Sequence, residues 1–188
     1  MAPLTALRVT LCSANPGKLA EVREALPGWD VELLAAREYP AEDGETYVEN
    51  ARLKARFGRA VGPAERWMLA DDSGLELAAL GGAPGVLTAR WAEGRHVAKA
   101  LEALAGATDR RARYVAELIL LAPDGREARG TGILEGTIAE APSGTAGFGF
   151  DPVFIPRGET VTVAELGDGW KALHSHRALA AQDLVSKL

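Results

Sequence analysis

Five short segments of this 188-residue chain have residue types and spacings suited to holding a polyanion and a metal ion. Ser13-Ala14-Asn15-Pro16-Gly17-Lys18 sits where an apolar, β-branched run, Leu7 to Cys12, hands over to a helix-like stretch. Backbone N–H groups at a helix start, the Asn15 amide and the Lys18 ammonium can then face one phosphate group. The segment is not a Walker A loop: the spaced first glycine is missing, and Leu19 stands where Ser or Thr would follow the lysine. Read as plain structure, it is an Asn-Pro helix cap with a solvated lysine.

Asp71-Asp72-Ser73-Gly74 closes the apolar strand Trp67 to Ala70. Alternation along a strand sends the two carboxylates to opposite sides, so only one need be catalytic. A carboxylate at the C-terminal end of such a strand is a natural magnesium ligand beside a triphosphate. Asn50 and Lys54 are one helical turn apart and share a face, and Glu42 lies in the acidic loop that feeds their helix. Together they offer a second metal ligand and a phosphate contact, with Asp43 and Glu45 as alternatives to Glu42.

Gly147-Phe148-Gly149-Phe150-Asp151-Pro152 sets two aromatic rings among glycines. A base can stack on a ring there while Asp151 bonds its edge. Ser175-His176-Arg177, with Lys171 just before, clusters donors at the start of the last helix, suited to a base carbonyl or to phosphate oxygens.

The elements that must position these groups alternate early and change later. Strand Leu7 to Cys12, helix Leu19 to Leu26, strand Val31 to Leu34 and helix Thr46 to Val61 come first, the last with Thr46 and Glu49 as a capping-box pair. A glycine turn at 81–85 and a short helix Val97 to Leu104 follow. Two strands, Tyr114 to Leu121 and Glu127 to Ile138, then flank the hairpin signal Pro123-Asp124-Gly125-Arg126. Ser175 caps a final helix from His176 to about Lys187. The expectation is one α/β domain over residues 1–188, with a mixed sheet flanked by helices.

A net charge of −5 argues against coating nucleic acid, which needs a broad excess of Lys and Arg, but leaves room for one small polyanion in a locally positive site. The single cysteine, Cys12, has no partner for a disulfide or a thiolate metal site, which suits a reducing compartment. Met1 to Thr10 carries Arg8 and too short an apolar run for a signal peptide, and no later stretch reaches membrane-spanning length. A cytoplasmic protein without membrane or nucleic-acid partners is expected.

In order, these motifs resemble those of the inosine triphosphate pyrophosphatase family, the pyrophosphatases of non-canonical purine nucleoside triphosphates. The resemblance spans nearly the whole chain. It includes Ser13 to Lys18, Glu49-Asn50-Ala51 with Lys54, Asp71 to Leu75, Leu80 to Gly85, Gly147 to Pro152 and Ser175-His176-Arg177. It implies a long twisted mixed sheet, two lobes with a cleft between them, a homodimer, and Mg2+-dependent hydrolysis of ITP, dITP and XTP to the monophosphate and pyrophosphate. By matching positions, Asp72 is the catalytic carboxylate and a metal ligand, and Glu42 is a second ligand. Ser13, Ala14, Asn15, Pro16, Gly17, Lys18, Asn50 and Lys54 serve the phosphate side of the site. Ser73, Phe148, Gly149, Phe150, Asp151, Lys171, His176 and Arg177 complete the nucleotide site. Ala14 departs from the family's usual Gly, and Phe150 from its more frequent Tyr or Trp. Competing functions are a nucleotide sensor without turnover and a pyrophosphatase for pyrimidine or modified nucleotides.

Overall fold

The computed structural model describes residues 7–188; the part of the leader-peptide expectation that concerns residues 1–6 lies outside them. Six strands form one mixed sheet in the order β2-β1-β3-β4-β5-β6. The strands are β1 (Arg8–Leu11), β2 (Asp30–Leu33), β3 (Trp67–Leu77), β4 (Arg111–Leu121), β5 (Glu127–Ile138) and β6 (Phe154–Pro156). β1 pairs in parallel with both β2 and β3, and β5 pairs antiparallel with β6. β4 and β5 are neighbours joined by a turn closed by Gly125 N–H on Ala122 O, a connection short enough only for an antiparallel pair.

The helices are α1 (Pro16–Ala25), α2 (Tyr47–Val61), α3 (Thr88–Ala92), α4 (His96–Ala103), α5 (Val163–Leu166), α6 (Asp168–His174) and α7 (His176–Val185). Asn15 caps α1 and Pro16 opens it, where a missing N–H costs nothing. Thr46 and Glu49 form the expected capping box on α2. The short β6, α3, α5 and α6 were not expected, because elements of three to seven residues carry too little periodicity to be read. β3 runs to Leu77 instead of stopping at Ala70, so the two aspartates lie mid-strand. Polar residues there hide the strand from a hydrophobicity reading, yet both aspartates are buried against a lysine.

The chain divides into two compact units. One takes the described residues up to Asp72, with Glu117–Thr131 and Ala180–Leu188; the other takes Ser73–Ala116 and Gly132–Leu179. In the first unit Cys12, Leu34, Ala51, Ala55, Met68, Ala70 and Ile119 form a core cluster. Gly58 on α2 has no room for a side chain, since a Cβ there would collide with Cys12 Sγ. In the second unit the core gathers Leu75, Leu77, Leu104, Tyr114, Ile138, Phe150 and Phe154.

The last turns of the chain are fastened within the first unit. Thr131 N–H donates to Asp183 at 2.8 Å, and Lys187 Nζ donates to Asp183 at 2.6 Å and to Arg129 O at 3.0 Å. Gly130 lets β5 approach the helix backbone, and a Cβ on it would strike Ala180 O and the Leu184 backbone. Gly130→Ala is expected to cost about 2 kcal/mol and to lower Tm by roughly 4 to 8 °C. A calorimetric Tm within one degree of the wild type, on the order of measurement error, would show that this close approach is unimportant.

Candidate active site

In the first unit, the strand order 2-1-3 means that the chain leaves β1 toward one edge and returns to β3 on the other side. Right-handed crossovers then place α1 and α2 on opposite faces of the sheet. The C-terminal end of β1 lies level with the middle of β3, beside the point where the order reverses, the usual ligand position in open α/β sheets. Ser13 to Lys18 follows β1, and Asp71 and Asp72 lie on β3.

Alternation then separates the two acids. Asp71 forms an ion pair with Lys18 of α1, while Asp72 meets α2: its Oδ2 accepts from Asn50 Nδ2 at 3.1 Å and its Oδ1 lies 3.2 Å from Lys54 Nζ. The same Lys54 Nζ donates to Glu42 Oε1 at 2.6 Å. Glu42 is thus the acid of the 42–45 stretch that reaches this cluster through Lys54. Its side chain is 40% exposed, whereas those of Lys54 and Asp72 are almost covered.

Burial raises the Asp72 carboxyl above its ordinary value, and Glu42 and Asp71 push in the same direction against the pull of Lys54 and Lys18. For Lys54, burial alone would lower the pKa; Asp72, Asp71 and Glu42 outweigh it and keep the ammonium above its ordinary value. Three acids against two lysines leave a net negative charge, displayed on hard oxygen donors. Among the described residues no group of three or more His, Cys, Asp or Glu side chains is arranged for a metal. Two carboxylates are nevertheless the protein share that suits Mg2+, which keeps waters and takes phosphate oxygens for its remaining positions. Glu42 and Asp72 fit that share, and a divalent cation would favour the charged Asp72 carboxylate that burial, and after it the neighbouring acids, disfavour.

In the loop between β1 and α1, Asn15 Oδ1 accepts from Gly17 N–H at 2.8 Å, and Ser13 Oγ from Asn15 N–H at 3.1 Å. One helix-start donor is therefore already used by the cap, and Asn15 itself is exposed. Asn50 was expected among the substrate-binding groups, but it is 0% exposed. Gly44 N–H donates to its Oδ1 at 2.9 Å, which fixes the amide so that Nδ2 faces Asp72. Asn50 therefore orients the Asp72 carboxylate.

In the second unit, left-handed Gly147 and Gly149, with φ of 73° and 66°, fold the loop so that Asp151 points inward. Asp151 Oδ2 accepts from Lys171 Nζ at 2.7 Å and from Phe148 N–H at 2.8 Å. The Lys171 ammonium also lies 4.6 Å from the Phe148 ring centre. Phe148 is 41% exposed, but Phe150 is 3% exposed and packed among Trp91, His96 and Tyr114. Of the two expected stacking rings, only Phe148 has an open surface; Phe150 is core because its side of the loop faces the sheet. Arg177 Nη2 donates to Ser73 Oγ at 2.6 Å, and the His176 ring stacks on Tyr114 with centres 4.6 Å apart.

Tyr114 and Gly44 escaped the reading of the residues. Tyr114 shares the buried face of β4 with Ala112, an alternation visible in the sequence, but its contacts come from distant segments. Gly44 looks like any loop glycine until its N–H is seen to aim Asn50.

Asn50→Ala leaves the Gly44 N–H and Asp72 Oδ2 without that partner. The expected outcome is a loss of about 2 kcal/mol in urea unfolding and a fall in kcat of roughly 10- to 100-fold with little change in KM. A change confined to KM would instead mark a direct substrate contact.

The Ham1 family matches residues 9–187. A Thermus thermophilus protein named dITP/XTP pyrophosphatase is 43% identical over 97% of this chain and 92% of its own length. One of the same name from Bdellovibrio bacteriovorus is 38% identical over 97% and 98%. Among solved structures, the Staphylococcus aureus Ham1 protein superposes with a TM-score of 0.82 at 33% identity, covering 96% of this chain and 97% of that one. A HAM1 protein from Coxiella burnetii gives 0.80 at 36% identity, with 96% and 98% covered. With a family match over almost its whole length and relatives at this level of identity, the chain belongs to the Ham1 family.

Proposed function

We propose that this protein hydrolyses dITP, XTP and ITP between the α and β phosphates, releasing the monophosphate and pyrophosphate. The observation that carries the reading is Asp72, buried and held by Asn50 and Lys54 in a cluster with Glu42, in a chain whose relatives are named dITP/XTP pyrophosphatase. Neither a sensor nor a pyrimidine enzyme gains support from those names.

Asp72 and Glu42 would hold Mg2+ with the substrate phosphates, and the ion would neutralise phosphate oxygens and polarise the α-phosphorus. Asp72 orients the attacking water, and its raised pKa suits a carboxylate that takes up part of the water's proton. The oxygen of that water bonds to the α-phosphorus while the bond from that phosphorus to the bridging oxygen breaks. Lys18 and Lys54 stabilise the charge that develops on the departing pyrophosphate.

Base selection falls to the second unit. Phe148 offers a face for stacking. His176 or Arg177 supplies a donor to the 6-oxo group, which an adenine amino group cannot accept. Lys171 is committed to Asp151 and chiefly fixes the loop.

The test is pyrophosphate release from dITP, XTP, ITP, ATP and GTP with Mg2+, for wild type and Asp72→Asn. Turnover of the deaminated purines that is lost in the variant is expected. Because the native carboxyl is raised, the folded state binds protons more tightly than the unfolded one, so ionising Asp72 costs stability as pH rises above its unfolded pKa. Wild-type stability should therefore fall as pH rises through that range, Asp72→Asn should lack this fall, and the variant should lose activity. Turnover retained by the variant, or preferred turnover of ATP, would overturn the reading.

The protein is further proposed to act as a cytoplasmic homodimer. Its buried thiol, raised to about 12 mainly by burial, is inert to disulfide chemistry, and no helix among the described residues is long and apolar enough to cross a membrane. The second unit carries a groove of about 690 Å³ lined by Arg111, Arg113 and Arg157 together with Glu76, Glu135 and Glu159. A two-fold interface brings one patch against its own copy, and a patch that carries both signs, with Arg113 paired to Glu76 and Arg157 to Glu135, is compatible with that. Sedimentation equilibrium should give twice the chain mass, falling to one chain mass in Glu135→Arg; a wild type that sediments as a single chain contradicts the dimer.

A further inference from the structure

The proposed hydrolysis leaves Asp71 without a task, although it is among the most enclosed charged groups of the first unit. Its side chain is 0% exposed, while that of its partner Lys18 is 18% exposed. A carboxylate so covered has no access to a nucleotide, but the ammonium that it grips keeps an open side.

We propose that Asp71 is a positioning residue that acts through Lys18, holding the ammonium where a phosphate group of the substrate is met; this rests on the proposed hydrolysis. Three features of the fold make the pair directional. Asp71 is on β3, whose backbone is tied to β1 through Leu11 and Leu69, so its own position is rigid. Lys18 is in the first turn of α1, directly after the loop that leaves β1, so its Cα is set by the Asn15 cap. Between these two fixed points lies a flexible lysine side chain, which would otherwise lose rotamer freedom each time it ordered around a phosphate. The ion pair settles that ordering in the folded protein. An ammonium has three N–H donors, so engaging Asp71 leaves others for phosphate oxygens.

The pairing also accounts for two consecutive aspartates on one strand. Alternation sends the first to α1 and the second to α2, so each lysine of the phosphate side has its own carboxylate.

The test is a double-mutant cycle with dITP and Mg2+ on wild type, Asp71→Asn, Lys18→Met and the double variant. Asp71→Asn should lower kcat/KM roughly a hundredfold, the usual consequence of a misplaced positioning group. In the Lys18→Met background the same change should alter kcat/KM less than about twofold, because the two residues act as one. A wild-type-like Asp71→Asn, or a loss repeated in full on the Lys18→Met background, overturns the proposal. Absence of turnover by the wild type on any triphosphate instead sinks the hydrolase reading. The pair is then read from the lysine ammonium 15N–1H spectrum of the folded wild type, with the Lys18 signal assigned by its loss in Lys18→Met. This spectrum also serves if Asp71→Asn does not fold. A slowly exchanging Lys18 ammonium supports the proposal, and one that exchanges as fast as solvent-exposed lysines overturns it.

Discussion

One ammonium, that of Lys54, is shared by two carboxylates, and much of the first unit is arranged around that fact. A nearly covered lysine keeps its charge only if acids surround it, and a nearly covered Asp72 stays ionised only if a cation is near. The arrangement is poised instead of relaxed: one more negative charge than the lysines balance, with a half-exposed Glu42 at its margin. A site of that kind costs folding stability, the usual trade at positions kept for function.

The surrounding elements follow from holding this cluster still. The capping box fixes the start of α2, and with it the turn that carries Asn50 and Lys54. Gly44 folds back to orient the Asn50 amide. β1 and β3 run side by side in parallel, so the loop after β1 and the two aspartates belong to neighbouring strands of one rigid sheet. The second unit uses a different device, two left-handed glycines and an inward Asp151 that grips Lys171 and the Phe148 N–H.

Much of this was legible in the residues because local physics dictates it. The Asn-Pro cap of α1, the Thr46–Glu49 box and the hairpin turn before β5 each depend on contacts within four residues. The family of the chain was legible too, from the order of its motifs. What local pattern could not supply was which polar residue ends up covered. Asn50 and Phe150 look like ligand groups on a helix face and a glycine loop, but packing from residues far along the chain buries both. The length of β3 was hidden for the same reason: its aspartates read as the close of the strand until Lys18, Asn50 and Lys54 arrive to pair them.

The most direct measurement is an NMR titration of the Asp72 carboxyl carbon in the folded protein, with and without Mg2+ and a non-hydrolysable purine triphosphate. A carboxyl that titrates above the ordinary 3.8 when alone, and falls when the cation and nucleotide bind, is the predicted result. A carboxyl already at or below 3.8 and indifferent to Mg2+ would contradict a crowded acid cluster waiting for a metal ion.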